Sequence, residues 1–249
     1  MYFPQPVSSG ILHLLCRFPV MALIVVLALG TSIAWPESNM PGECLSRVMV
    51  TFSFDDGYNS VYCKAFPVLE KYDYKGTAFI ITGEVGNAGY MNIGQIKELY
   101  ENGWEIGSHT ITHPHLTQLT DSEIEKELKG SKAALQKAGI EVQSFSSPYG
   151  QYDEKVMALI KRYYVSHRTS WPAGLNNVPL EKGERYQLKA VSIEADTTLE
   201  EAKEWIIRAK EEQKWLILIF HRIDEEGQYS WSSEELEELV KFAVEKEVY

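Results

Sequence analysis

Val48-Met49-Val50-Thr51-Phe52-Ser53-Phe54-Asp55-Asp56-Gly57 is a run of β-branched and aromatic residues that stops on two carboxylates and a glycine. A short apolar run of this kind reads as a strand buried in a sheet. The glycine supplies the turn that ends it. The same pattern recurs along the chain. Gly76-Thr77-Ala78-Phe79-Ile80-Ile81-Thr82, Trp104-Glu105-Ile106-Gly107, Gln143-Ser144-Phe145-Ser146, Tyr163-Tyr164-Val165-Ser166, Leu188-Lys189-Ala190-Val191-Ser192-Ile193 and Trp215-Leu216-Ile217-Leu218-Ile219-Phe220 are further strand candidates. Between them lies helical spacing, at Val61-Lys64-Ala65-Val68-Leu69 and at Ile93-Ile96-Leu99-Tyr100, the latter closed by Asn102-Gly103. Thr120 with Glu123, Thr198 with Glu201 and Ser232 with Glu235 fit capping boxes that start later helices. Strands alternating with helices imply right-handed βαβ units and a parallel sheet, so the expected fold class is α/β.

Bulk properties narrow the partners. At 249 residues and 45% hydrophobic the chain can bury one substantial core. A formal charge of -11 argues against nucleic acid and anionic lipid headgroups, and favours a neutral or cationic substrate. Residues 1–36 differ from the rest: Arg17 is their only formally charged side chain, an apolar run covers 19–29, and Ser32-Ile33-Ala34 resembles a small-residue cleavage site. This segment is expected to be a signal peptide, or an uncleaved anchor through which alone the protein would meet a membrane. Export, to the cell surface or beyond, follows. Residues 37–46 read as a linker and 47–249 as one domain, with a short C-terminal element expected to be missing or abbreviated after Val248-Tyr249. Cys16 lies in the leader; Cys44 and Cys63 either pair in an exported protein or stand as two small hydrophobes.

Polar clusters sit at the C-terminal ends of the strand candidates, where parallel sheets and barrels bind ligands. Adjacent strand residues face opposite ways, so Asp55 and Asp56 can share a site only where Gly57 breaks the strand. In Ser108-His109-Thr110-Ile111-Thr112-His113-Pro114 the two histidines stand four apart, which on a helical turn puts both rings on one face. Asp56, His109 and His113 would form an oxygen–nitrogen–nitrogen set with open positions, as catalytic zinc sites do. Manganese, cobalt or nickel also suit such ligands. Neither cluster contains cysteine, which excludes a thiolate-rich structural zinc site. His115 follows Pro114 and is left outside the set. Asp-Asp-Gly alone is commonly a turn and His-x-x-x-His alone a solvated face; their joint position points to a metal-dependent hydrolase. His221, after the apolar run 216–220, is either a satisfied buried imidazole or a general acid at the same mouth.

Four motifs, Thr51-Phe52-Ser53-Phe54-Asp55-Asp56-Gly57, Ser108-His109-Thr110-Ile111-Thr112-His113, Ser147-Pro148-Tyr149-Gly150 and Leu218-Ile219-Phe220-His221, occur in the order that resembles the polysaccharide deacetylase family, the NodB-homology group of carbohydrate esterases. The resemblance implies a distorted (β/α) barrel of seven to eight strands. It also implies metal-dependent removal of N-acetyl groups from amino sugars of a polysaccharide such as chitin or peptidoglycan. By matching positions, Asp55 would be the base, Asp56, His109 and His113 the ligands of a divalent metal, zinc first, and His221 the general acid. The backbone N–H of Tyr149 would serve the oxyanion, and Ile219 would shape the pocket for the acetyl methyl. Two positions depart from the family. Ser146 stands where many members carry an arginine that orients the base, and Arg222 follows His221 where an acid is frequent. Arg168 is either the replacement for that arginine or a surface cation. Trp171 and Tyr149 either stack on sugar rings or cap the barrel. A carbohydrate-binding barrel without turnover, and a deacylase of a small amide or O-acetyl ester, are the rival functions.

Overall fold

The computed structural model describes residues 48–248. The expected leader at 1–36, the expected linker at 37–46, Cys16 and Cys44 lie outside the described residues, and so does the question of whether Cys44 and Cys63 pair. Among the described residues no helix is long and apolar enough to cross a membrane.

Seven parallel strands form one curled sheet: β1 (Val50–Phe54), β2 (Thr77–Ile80), β3 (Glu105–Ser108), β4 (Ser144–Ser146), β5 (Ser166–Arg168), β6 (Val191–Ser192) and β7 (Leu216–Phe220), in the order β5-β4-β3-β2-β1-β7-β6. The curl brings the two edges together. Leu188, ahead of β6, makes a parallel bridge to Arg168, with Leu188 N–H donating to His167 O at 3.1 Å and Thr169 N–H donating to Leu188 O at 3.0 Å. The result is a distorted barrel of seven strands, within the expected range.

Registers set the strand ends level. Phe54 pairs with Ala78 and Phe220, Ile80 with Ser108, Ser108 with Phe145, and Ser146 with Arg168. Every residue just past these ends therefore meets at one mouth. Period-two alternation divides the two faces. Phe52, Phe54, Ala78, Ile80, Leu218 and Phe220 point outward into the main core, under the helices. Thr51, Ser53, Thr77, Ser144 and Ser166 point inward, so the barrel interior is rich in hydroxyls.

The helices are α1 (Phe66–Lys71), α2 (Ile93–Glu101), α3 (Asp121–Lys137), α4 (Glu154–Tyr163), α5 (Leu199–Glu212) and α6 (Ser233–Glu245). A π-helical turn at Val61–Ala65 leads into α1. Ile124, Leu128, Ser131 and Leu135 give α3 its buried stripe at helical spacing. Thr120 and Thr198 complete their capping boxes, and Ser232 caps α6 by accepting from Glu235 N–H. Asn92 with Gln95 forms a further box at α2 that the Ser/Thr pattern did not reveal. A small pair, β8 (Arg222–Ile223) with β9 (Ser230–Trp231), follows β7.

Two strands differ from expectation. The segment 163–166 was expected to be extended, but α4 runs through Tyr163 and β5 starts at Ser166. Tyr163 lies a turn beyond the buried Leu159 and Ile160, and Lys161 and Arg162 suit the negative end of a helix, so tertiary packing overrides aromatic β-propensity. The run 188–193 keeps only Val191–Ser192 in the sheet. Its start is taken by β5, and the backbone of Lys189 is captured by the Asn176 amide, which accepts from Lys189 N–H and donates to Lys189 O, both at 2.9 Å.

Candidate active site

Asp55 continues β1 in phase with Thr51 and Ser53, and its N–H still donates to Phe220 O at 2.9 Å, so its carboxylate faces inward. Asp56 then takes a left-handed conformation, φ 72°, followed by Gly57 at φ 85°. The break thus begins at Asp56 itself, and it swings a second carboxylate into the same mouth. His109 follows β3, its N–H bonded to Ile80 O at 3.0 Å. His221 follows β7 in phase with Ile217 and Ile219. All line one pocket of about 300 Å3, together with His113, Tyr149, Arg168 and Ile219.

His109 and His113 do not share a helical turn. The segment between them is a loop in which Thr110 and His113 are left-handed, with φ 68° and 57°. Glu127, buried on α3, holds that loop: its carboxylate accepts from Ile111 N–H at 2.7 Å, Thr112 N–H at 3.0 Å and the Thr112 hydroxyl at 2.9 Å. The Thr110 hydroxyl accepts from His113 N–H at 2.9 Å. Glu127 was missed from the sequence. Its signal was there, as a carboxylate three residues after Ile124 and one before Leu128, on the buried stripe.

His109, His113 and Asp56 converge. Nε2 of His109 is 3.2 Å from Nε2 of His113, and Asp56 Oδ1 lies 3.5 and 3.6 Å from the two. Three donors about 2.1 Å from one tetrahedral centre stand about 3.4 Å apart, so this set fits a divalent ion. Asp56 Oδ1 is buried with no hydrogen-bond partner, and burial pushes its carboxyl up to about 6 despite the pull of His221. An orphan oxygen of this kind wants a cation. Burial likewise pushes the His109 imidazole down to about 3, so the ring is neutral and offers a lone pair. The Ser146 carbonyl, 2.8 Å from His109 Nδ1, fixes the proton there and leaves Nε2 toward the set.

Asp55 is kept apart from that set by a cation. Arg168 Nη2 lies 2.5 Å from both Asp55 oxygens and 2.6 Å from Ser146 Oγ. Burial alone would raise the Asp55 carboxyl; Arg168, with His109 and His221, overcomes it and holds it below the usual carboxylate range. Arg168 is therefore not a surface cation; it is 3% exposed. Ser146, where an arginine was expected, leaves the room that the guanidinium fills and accepts a hydrogen bond from it.

The remaining residues take varied places. His221 stands across the pocket with Nδ1 buried and unbonded, and its ring is 5.1 Å from that of Tyr229, a pocket residue from the loop between β8 and β9 that carried no sequence signal. Arg222 points away, over the Tyr58 ring at 4.4 Å, and donates to its hydroxyl. Tyr149 is left-handed, φ 56°, and half exposed. His115, left outside the site on the strength of Pro114, in fact stacks on Tyr149 at 4.0 Å and backs that wall. Trp171 does not line the pocket; it is 76% exposed beyond Ser170, where the chain turns away from the mouth.

A family model described as polysaccharide deacetylase matches residues 42–166, half of the chain. The chain belongs to the polysaccharide deacetylase family. Among curated relatives, YxkH of Bacillus subtilis is 32% identical over 135 residues, covering 54% of this chain and 46% of that protein. The poly-beta-1,6-N-acetyl-D-glucosamine N-deacetylase of Staphylococcus aureus is 32% identical over 128 residues, 45% of this chain and 44% of that one. This chain thus spans about half the length of the curated relatives it matches. In structure it is similar to the Streptococcus pyogenes deacetylase PplD, solved with acetate, at TM-score 0.57 and 28% identity, over 62% of this chain and 69% of the other. Polysaccharide deacetylase membership makes the strand-end motifs, and not the barrel alone, the part to interpret.

Proposed function

We propose that the protein is a metal-dependent hydrolase that removes N-acetyl groups from amino sugars of an exported or cell-surface polysaccharide, releasing acetate and leaving a free amine. The observation that carries this reading is the pairing of two carboxylates with opposite environments in one pocket: Asp55 held as an anion by Arg168, and Asp56 unneutralised beside two neutral imidazoles. The relative named for poly-beta-1,6-N-acetyl-D-glucosamine supports an N-acetylated glycan as substrate class.

Asp56, His109 and His113 would hold the metal, with zinc the best match to one oxygen and two nitrogens. A divalent ion there polarises a carbonyl and lowers the pKa of water. Asp55 accepts the proton of the attacking water, and Arg168 keeps it ionised and aimed. The Tyr149 N–H donates to the oxyanion as the carbonyl carbon becomes tetrahedral. His221 gives a proton to the amide nitrogen as the C–N bond breaks, because an unprotonated amine leaves poorly. Ile219, 1% exposed on the pocket wall, faces the acetyl methyl, and Tyr149 meets the sugar.

The test is a panel of N-acetylglucosamine oligomers, a small acetamide and an O-acetyl ester, each scored for acetate and for free amine before chelation, after it, and after metal return. Acetate with amine from the oligomers, lost and regained with the metal, is expected. Its absence from every N-acetyl glycan would overturn the reading; release from the ester or small amide alone would move it to the rival deacylase.

A further inference from the structure

Beneath the Asp55–Arg168 pair, inside the barrel, lies a second cavity of about 130 Å3. Its inner end is walled by Ser53, Phe79, Ser144 and Arg168, and exposed Glu105 and Arg185 stand at its outer end. Three buried polar atoms on this wall have no hydrogen-bond partner within the protein: Ser53 Oγ, Ser144 Oγ and Arg168 Nε. Their residues are 0%, 5% and 3% exposed. Two threonine hydroxyls of the wall are satisfied. Thr51 Oγ1 accepts from Trp215 Nε1 at 2.9 Å, and Thr77 Oγ1 donates to Glu105 at 3.5 Å.

We infer that this cavity is a hydrated chamber, and that Ser53 and Ser144 are positioning residues that hold the Arg168 guanidinium through its water. A buried donor left unmet is costly, and a charged one more so, so Arg168 Nε–H requires an acceptor. The volume admits several waters at about 30 Å3 each, and three unpartnered polar atoms on residues of the one wall are the partners that ordered water needs. An anion does not fit. Asp55 already matches Arg168, and Glu105 opposes Arg185 at the outer end, which leaves the chamber without excess positive charge.

Gly107 makes room for Phe79 on this wall. A Cβ there would stand 2.4 Å from the Phe79 ring and 2.7 Å from Ser144 Oγ. Its absence lets Phe79 slide beneath the guanidinium, 4.9 Å from ring centre to Arg168 Cζ. Phe79 then supports the plane, Asp55 and Ser146 hold Nη2, and water on Nε fixes the remaining freedom, rotation about the ring normal. Glu105 and Arg185 place the outer end at the surface, so this water exchanges from the side opposite the substrate.

Only the kinetic arm of the test rests on the proposed deacetylation. Crystals of the full domain and of Ser144→Ala at high resolution should show ordered waters within hydrogen-bonding reach of Arg168 Nε, Ser53 and Ser144, with the water at Ser144 lost in the variant. Ser144→Ala and Ser53→Ala should each lower kcat by about 3–10-fold, as expected for one lost hydrogen bond, with KM unchanged. A merely structural role would shift the urea midpoint and leave kcat per folded molecule alone. A dry chamber in the unaltered protein, or both variants at full kcat, overturns the inference. If the unaltered protein releases no acetate at all, the functional reading fails while the waters still decide the chamber.

Discussion

Asp55 and Asp56 are identical side chains on neighbouring residues, and the backbone separates their chemistry. Asp55 stays in strand phase and meets Arg168; Asp56 turns left-handed and meets His109 and His113. Among the described residues, four of the eight non-glycine residues with positive φ, namely Asp56, Thr110, His113 and Tyr149, belong to this site. Such strain persists where surrounding contacts over-determine it, and it gathers at functional sites. Arg168→Ala should lower kcat by about 100-fold, the scale of a misplaced or mistuned base, while metal binding stays intact. Arg168→Lys should recover only part of this, because a point charge lacks the planar fork that also reaches Ser146. Full turnover in Arg168→Ala, with Asp55→Ala inactive, would show that the guanidinium does not serve the base.

At the level of elements, strand phase made much of the site legible. Residues 51, 53 and 55, like 217, 219 and 221, share the inner face, and Asp55 and His221 could be read from strand ends, while Ile219 was singled out by the family resemblance alone. Phase carried the reading no further once the chain left the strand. The spacing of His109 and His113 suited a helix, but the loop reaches the same convergence through two left-handed residues and the Glu127 carboxylate. Arg168 was legible as one of two alternatives, the partner of the base or a surface cation, and the choice lay beyond the sequence because its reach to Asp55 depends on the register of β4 with β5. Glu127→Ala should weaken zinc binding by about 10–100-fold, as loss of an outer-shell support does, in a titration of the metal-free protein. Unchanged affinity would mean the loop holds itself. Gly107→Ala should lower the unfolding free energy by about 1–3 kcal/mol in urea, because Phe79 must give way to the new methyl. A neutral effect would show that the ring relocates freely.

Across the whole molecule, the barrel closes at a seam held by a neutral histidine. His167 Nδ1–H donates to Tyr186 O at 2.8 Å, so its Nε2 accepts from the Ser147 hydroxyl, also at 2.8 Å. Burial pushes this imidazole down to about 4. Between that value and about 6.5, where an unfolded histidine titrates, only the unfolded chain takes up the proton, so stability rises with pH across the window and falls on acidification. Equilibrium unfolding should lose about 2 kcal/mol from this group between about pH 7 and about pH 5, and His167→Gln should flatten that slope. An unchanged slope in the variant would place the acid sensitivity elsewhere.

The division of labour between the two aspartates is the central claim, and zinc content measured beside acetate release on the same samples tests it most directly. Asp55→Asn should bind added zinc as the unaltered protein does and release no acetate from N-acetylglucosamine oligomers, whereas Asp56→Asn should lose zinc binding and activity together. Loss of zinc from Asp55→Asn, or normal turnover by either variant, would contradict it.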